Sequence, residues 1–214
     1  MANPGGLGRL YKPDSRDRKF RMASVVPAKS VRTSRYWNDR WYWGDQGNTS
    51  QCVAFASMHF VADGPITHGV QHMPFESPLQ FFFEIGGSDD GAYVRDAMSR
   101  LQEMKVIGNY YWATTIDEVD LALLEVGPCV AAFDWFSGMD SPDTSGLVHP
   151  DGYVRGGHAI DLNGVNVQTG IYRFKNSWGR GWGKNGRFYL KRADLEYLLF
   201  GLNGEVALAT ELNT

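Results

Sequence analysis

Cysteine is scarce in this chain of 214 residues: only Cys52 and Cys129 occur. Two cysteines can close one disulfide, whereas a secreted domain built on disulfides needs several. Excess charge of either sign is also missing. Lys and Arg number 21 against 24 Asp and Glu, a formal net charge of -3. No global basic field is present to draw in nucleic acid or an anionic membrane, and neither is expected as a partner. Long apolar runs are absent; none approaches the ~18 residues that span a bilayer. Met1 to Leu10 carries glycine and proline where a signal peptide would carry an apolar stretch. These absences imply a cytoplasmic setting, or delivery by a route the sequence does not encode. Metal-ligand spacing is lacking too. His59, His68 and His72 are not completed by a cysteine or carboxylate pattern. Asp89-Asp90-Gly91 is too short for a calcium loop. Neither a metal nor an organic cofactor is expected, and oligomeric state is not legible.

What is present is an ordinary globular composition, 43% hydrophobic and 21% charged, with 25 glycines and 7 tryptophans. Residues 1–35 are polar and without helical periodicity, an extended arm or strap ahead of the domain at 36–214. Tyr36, Trp37, Trp41, Tyr42 and Trp43 form an aromatic patch, read first as core packing and alternatively as a binding surface. Cys52 to Val61 is small and apolar, a buried helix with Thr49 or Ser50 as its cap and Pro65 beyond its end. Ser77-Pro78 opens a second helix. Val94, Ala97, Met98, Leu101 and Met104 keep helical spacing, and Ile116 to Val126 is a further amphipathic segment stopped by Gly127-Pro128. Beyond it the pattern turns to strands, at Val130–Phe133, Ala159–Leu162, Ile171–Phe174, Arg187–Leu190 and Glu205–Thr210, with a long loop from Ser137 to Val154. A helical lobe at about 45–126 and a β-rich lobe at about 127–214 imply an α+β fold.

Three short stretches carry chemistry. Cys52 opens a helix, where the N-terminal dipole favours the thiolate. Gln46, in the loop just upstream, can place its amide beside the Cys52 N–H as an oxyanion donor. By itself a buried cysteine is more often inert packing, and Cys129 fits that description. Gly156-Gly157-His158 combines close backbone approach with an imidazole entering an apolar strand. Alone, such a histidine is more often a satisfied core residue. Asn176-Ser177-Trp178 sets an amide beside a large indole, suited to orienting and shielding an imidazole; alone, Asn176 reads as a turn residue.

Taken together, Asp45-Gln46-Gly47 with Cys52-Val53-Ala54-Phe55-Ala56, then Gly157-His158-Ala159, then Asn176-Ser177-Trp178-Gly179 with Trp182-Gly183 and Gly186, resemble the three active-site motifs of papain-like cysteine peptidases. The resemblance spans roughly residues 37–190. It implies two lobes, helical and antiparallel β-barrel-like, with a cleft between them. It also implies a Cys52–His158–Asn176 triad, an oxyanion hole containing Gln46, shielding by Trp178, and endopeptidase action on protein or peptide substrates through a thioester. Gly91, Ala92, Tyr93 and Gly157 fall where substrate backbone would lie. Thr49, Gln51 and Val53 depart from the family's cysteine, small residue and aromatic, and Thr49 removes a family disulfide. The stretch from Cys52 to His158 is shorter than the family's ~130 residues or more, and the loop ahead of His158 is expected to overhang the cleft. The short lead before Cys52 resembles prodomain-free microbial and viral members. Two other functions share these residues: an inactive binding protein on the same fold, and a thiol acyltransferase or glutamine deamidase.

Overall fold

The computed structural model describes residues 5–38, 44–65 and 77–211. Trp41, Tyr42 and Trp43 of the aromatic patch, and His68 and His72, lie outside them. The helical half comes first. Helix α1 (Cys52–Asp63) has every side chain buried, as its run of small and apolar residues requires. Thr49 and Ser50 do not cap it. The Thr49 hydroxyl donates to the Gln46 carbonyl at 2.6 Å and the Ser50 hydroxyl to the Asp89 carbonyl at 2.6 Å; Gln51 precedes the helix without a side-chain cap. Helix α2 (Pro78–Glu84) begins as its sequence directs, with Pro78 in the first turn and the Ser77 hydroxyl accepting from the Gln80 N–H. Helix α3 (Val94–Glu103) buries Val94, Ala97, Met98 and Leu101. Helix α4 (Ile116–Leu121), capped by Thr115, runs on as a wider π turn over Ala122–Val126.

The strands are β1 (Arg9–Leu10), β2 (Ser34–Tyr36), β3 (Ala92–Tyr93), β4 (Tyr110–Trp112), β5 (Cys129–Phe136), β6 (Val154–Asn166), β7 (Ile171–Lys175), β8 (Arg187–Lys191) and β9 (Glu205–Ala209), with α5 (Arg192–Glu196) between the last two. Seven of them make one antiparallel sheet in the order β4-β9-β5-β6-β7-β8, with β2 pairing β6. The described sheet is open, with no closed barrel. Side-chain alternation along its strands feeds two cores. Val130, Ala132, Ala159, Ala207 and Ala209 pack with α1 to α3 on one face. Ala131, Phe133, Trp135, Ile160, Leu162, Val206 and Leu208 pack on the other with Val119 of α4 and Leu195 of α5. The loop before β6 packs against the 179–189 region: Trp182 donates to the Asp140 carbonyl at 2.8 Å and Val148 N–H to the Tyr189 carbonyl.

β1 lies apart from this sheet, paired in parallel with β3, Arg9 opposite Ala92 and Leu10 opposite Tyr93. Both cysteines are free and buried. Among the described residues no helix is long and apolar enough to cross a membrane, and no group of three or more metal-ligating side chains is found.

Candidate active site

Cys52 is the first residue of α1, and His158 lies in β6 opposite Phe133. The backbone N–H of Ala159, next to His158, faces the Cys52 thiol. His158 Nε2 lies 2.8 Å from Asn176 Oδ1. That same oxygen accepts from the Ser177 backbone N–H at 2.8 Å, which fixes the amide's orientation. Because Oδ1 is an acceptor, Nε2 must carry the ring proton, and Nδ1 of the neutral imidazole is left with a lone pair. Nδ1 is buried and has no hydrogen-bond partner among the described residues.

An aromatic cage surrounds the imidazole. Trp178 stacks on it with ring centres 4.9 Å apart and planes 28° apart. Trp135 meets its edge at 5.1 Å and contacts Trp178 at 4.9 Å. Trp135 was not marked by the motifs. The alternation of β5 assigns it to the face of Ala131 and Phe133, yet its contact with His158 comes from pairing between distant strands. Trp135 is held in turn by Asp140, which accepts its indole N–H at 2.9 Å and pairs with Arg155 at 2.6 Å.

Gln46 joins the cysteine loop to the asparagine loop. Its backbone N–H donates to the Ser177 carbonyl at 2.8 Å, and its Oε1 accepts from the Ser177 hydroxyl at 2.5 Å. Its Nε2 donates to the Thr49 carbonyl at 2.7 Å. Asp45 and Trp178 form a backbone bridge beside it. The amide is therefore buried and immobilised in the loop that leads into Cys52.

The N-terminal segment runs through this site. Gly6 N–H donates to the Gly47 carbonyl at 2.6 Å. Trp178 Nε1 donates to the Gly6 carbonyl at 3.1 Å. Gly8 N–H donates to the Gly157 carbonyl at 3.0 Å, and the Gly8 carbonyl accepts from Ala92 N–H at 2.9 Å. Gly91, Ala92, Tyr93 and Gly157, the expected substrate-cleft residues, all border this segment. Gly91 has φ +121, and a Cβ there would sit 1.8 Å from the Gly8 carbonyl oxygen, so only glycine fits. The approach is close enough to need glycines on the segment itself, and Gly5-Gly6-Leu7-Gly8 supplies three. That run was the one sequence signal for the contact.

Covered in this way, Cys52 and His158 are fully buried. Burial pushes the Cys52 thiol up to about 12, against smaller opposing pulls from the Ala159 N–H and the Arg9 charge. Burial also pushes His158 down to about 4; the Asn176 hydrogen bond opposes this shift and the Arg155 charge adds to it. The covered site therefore holds a neutral thiol and a neutral imidazole. Cys129 is pushed up by burial and by Asp161, and remains an inert packing residue.

The comparisons agree on one family. The model of the papain family cysteine proteases matches residues 88–205, a span that contains His158 and Asn176. Cathepsin B of Dictyostelium discoideum is 36% identical over 70 residues, 32% of this chain and 22% of that protein. Cathepsin B-like cysteine proteinase 6 of Caenorhabditis elegans is 32% identical over 79 residues, 36% of this chain and 21% of that protein. The chain thus spans about a fifth of the length of these two relatives. A peptidase C1-like protein of Acanthamoeba polyphaga mimivirus is 34% identical over 193 residues, 67% of this chain and 62% of the viral one. Among solved structures, xylellain, a cysteine protease from Xylella fastidiosa, superposes with a TM-score of 0.74 at 17% identity over 100% of this chain and 98% of its own. The bromelain protease from Ananas comosus, solved with the E64 inhibitor, superposes with a TM-score of 0.68 at 18% identity over 85% and 100% of the two chains. These likenesses establish the papain-like fold.

Proposed function

Because the chain belongs to the papain family of cysteine proteases, we propose that it is an endopeptidase whose triad is Cys52, His158 and Asn176. The observation that supports this reading most is the orientation of His158. Its Nε2–H is held by Asn176 Oδ1, and its Nδ1 lone pair is left to take a proton. The Ala159 N–H, one residue along β6, faces the Cys52 sulfur. In the proposed reaction the Cys52 proton passes to His158 Nδ1 and the sulfur attacks the scissile carbonyl carbon. The Cys52 N–H and a Gln46 amide proton stabilise the oxyanion. Collapse breaks the C–N bond, His158 protonates the departing amine, and a thioester remains. Water, deprotonated by the same nitrogen, then releases the acid and restores the thiol. Trp178 and Trp135 keep water from the His158–Asn176 hydrogen bond.

Two features bear on how the site is used. The N-terminal segment continues past the reacting centre on both sides, from Gly6 at Trp178 to Leu10 at Tyr93. A chain laid past Cys52 in both directions is how the interior of a substrate would lie, which supports endopeptidase action. The segment also covers Cys52, so it must leave before substrate enters. The working division is an arm over 1–35 and a catalytic domain over 36–214, with lobes at about 45–126 and 127–214.

The test is a peptide library incubated with the chain, with products read by mass spectrometry. Paired fragments with new amino and carboxyl termini are expected. Cys52→Ala should remove them, His158→Ala should slow their formation by roughly 10²- to 10⁴-fold, and Gln46→Ala by roughly 10²- to 10³-fold. Products that gain one dalton without chain cleavage would assign a deamidase instead. No products, with peptide still bound, would assign an inactive binding protein.

A further inference from the structure

Resting on the reading of Cys52 and His158 as nucleophile and base, we propose that Asp140 is a positioning residue for that reaction: it neutralises Arg155 and holds Trp135 beside His158, and so sets how readily the imidazole takes the Cys52 proton. Asp140 closes the short turn Ser137–Asp140 directly after β5. That turn is fixed to the chain ahead of β6: Ser137 N–H donates to the Tyr153 carbonyl at 2.9 Å and Gly138 N–H to the Asp151 carbonyl at 3.0 Å. From there one carboxylate oxygen, Oδ1, accepts both the Trp135 indole N–H at 2.9 Å and Arg155 Nη1 at 2.6 Å. The Asp140 backbone carbonyl accepts the Trp182 indole N–H. Trp135 and Trp182 contact Trp178 at 4.9 and 5.0 Å, and Trp178 is the ring stacked on His158. Two of the three indoles around the base therefore hang from one residue.

Arg155 reaches this cluster through an irregularity in the sheet. In the β5–β6 register Trp135 faces Gly156 but Phe136 faces Val154, which leaves Arg155 as an extra residue without a partner. Regular alternation would send Arg155 with Gly157 to the face opposite His158. A bulge re-aims the side chain of its extra residue, and Arg155 meets Asp140, the partner of Trp135, on the face of His158. A cation is thus brought close to a base that must become cationic, and a carboxylate is set against it. Burial is the main force holding His158 neutral; the Asn176 hydrogen bond opposes it, and the Arg155 charge adds to it. The remaining groups near the base carry no competing charge. Cys52 from α1 is a neutral thiol in the covered site, and Asn176 is an amide. Arg9 of the N-terminal segment bears on Cys52 and is paired with Glu205 and Asp134. Asp140 is then the carboxylate that decides how much of the Arg155 charge His158 feels. Its removal should make proton transfer from Cys52 to His158 Nδ1 harder, and removal of Arg155 should make it easier.

The experiment compares the full chain with Asp140→Asn, Arg155→Met and the double variant. Asparagine keeps an acceptor for the Trp135 indole, so the first change removes charge alone. The His158 ring is titrated by NMR, its signal assigned by its loss in His158→Gln. Asp140→Asn should lower the His158 midpoint by ~0.5 pH unit or more, Arg155→Met should raise it by a similar amount, and the double variant should recover most of either shift. The second readout is iodoacetamide labelling of Cys52 at pH 6, where the thiolate forms by proton transfer to His158. Labelling should be about threefold slower in Asp140→Asn and about threefold faster in Arg155→Met, the ratio that half a pKa unit implies. A purely structural role, or a loosened cover, would move both single variants in the same direction. Shifts of one sign, or none in either variant, would overturn the proposal and leave Asp140 as packing for Trp135. If Asp140→Asn does not fold, Arg155→Met decides alone, and no rise in midpoint or labelling overturns the proposal. If acid unfolds the chain before His158 titrates, the labelling ratios decide, and their absence overturns it. If His158→Gln labels as fast as wild type while the two NMR shifts are opposed, the nucleophile-and-base reading fails and the hold of Asp140 on the imidazole stands.

Discussion

His158, the base of the proposed triad, is also the group that exposes the site to pH. In the unfolded chain an imidazole titrates near ~6.5, whereas burial holds His158 down to about 4 in the fold. Below about 4 both states are protonated, and above ~6.5 neither is. Between those limits the unfolded chain binds a proton that the folded chain refuses, so stability falls as pH falls through this window. The contribution, fully present above ~6.5, amounts to up to about 3 kcal/mol by the ~1.4 kcal/mol carried by each pKa unit. His59, also buried and pushed well below its ordinary range by burial, acts with the same sign. His158→Gln isolates the first effect. Urea unfolding between pH 4 and pH 7 should show wild type losing more stability on acidification than the variant. Parallel curves would mean that His158 is solvated in the fold. The orientation of the ring was legible in Asn176 and Trp178, because one short motif carries both. The protonation state was not, because it depends on a cover supplied from residues 5–11.

Elements set by neighbouring residues were readable, and elements set by distant pairing were not. Ser77-Pro78 announced α2, the apolar spacing from Val94 announced α3, and alternation announced β5, β7, β8 and β9. By contrast β1 and β3 have two residues each, too few for any periodicity, and exist because Arg9–Leu10 meets Ala92–Tyr93 across the cleft. Thr49 and Ser50 looked like caps, but tertiary contacts with Gln46 and Asp89 claim their hydroxyls. The cover over the site makes a prediction at this scale. A Cβ on Gly157 would lie 2.3 Å from the Arg9 carbonyl oxygen, and a Cβ on Gly8 would lie 2.3 Å from the Ser50 carbonyl oxygen. The first substitution is on the cleft wall, the second on the segment, and both are relieved when residues 5–11 move out. Gly157→Ala and Gly8→Ala should each raise iodoacetamide labelling of Cys52 at neutral pH at least tenfold, with new protease cuts appearing among residues 5–14. Labelling as slow as in wild type in both variants would mean that this segment does not control access.

At the scale of the whole molecule, α1 is fastened to the sheet at both ends. Its first residue lies against Ala159. Its last, Asp63, reaches Lys175 Nζ at 2.9 Å and accepts from Asn163 Nδ2 at 2.8 Å, with both charged side chains fully buried. Asp161 stands beside them; burial first, and Asp63 second, drive its carboxyl far above the usual range. Arg173 completes the cluster by donating to Asn163 Oδ1 at 2.9 Å. Asp63 and Lys175 lie in different halves of the chain, which is why neither was legible as a partner from its own surroundings. A buried ion pair is a poor source of net stability but a costly thing to halve. Lys175→Met leaves Asp63 without its counter-charge and should cost about 3–5 kcal/mol in urea unfolding. Lys175→Met/Asp63→Leu removes both charges, and so should recover a good part of that loss. A single variant within about 1 kcal/mol of wild type, or a double variant no better than the single, would show that the pair does not hold α1 to the sheet. Lys175 precedes Asn176 in the chain. The single variant should therefore also disturb the His158–Asn176 contact and lower the proposed peptidase turnover in whatever fraction stays folded, while the double variant recovers a good part of both.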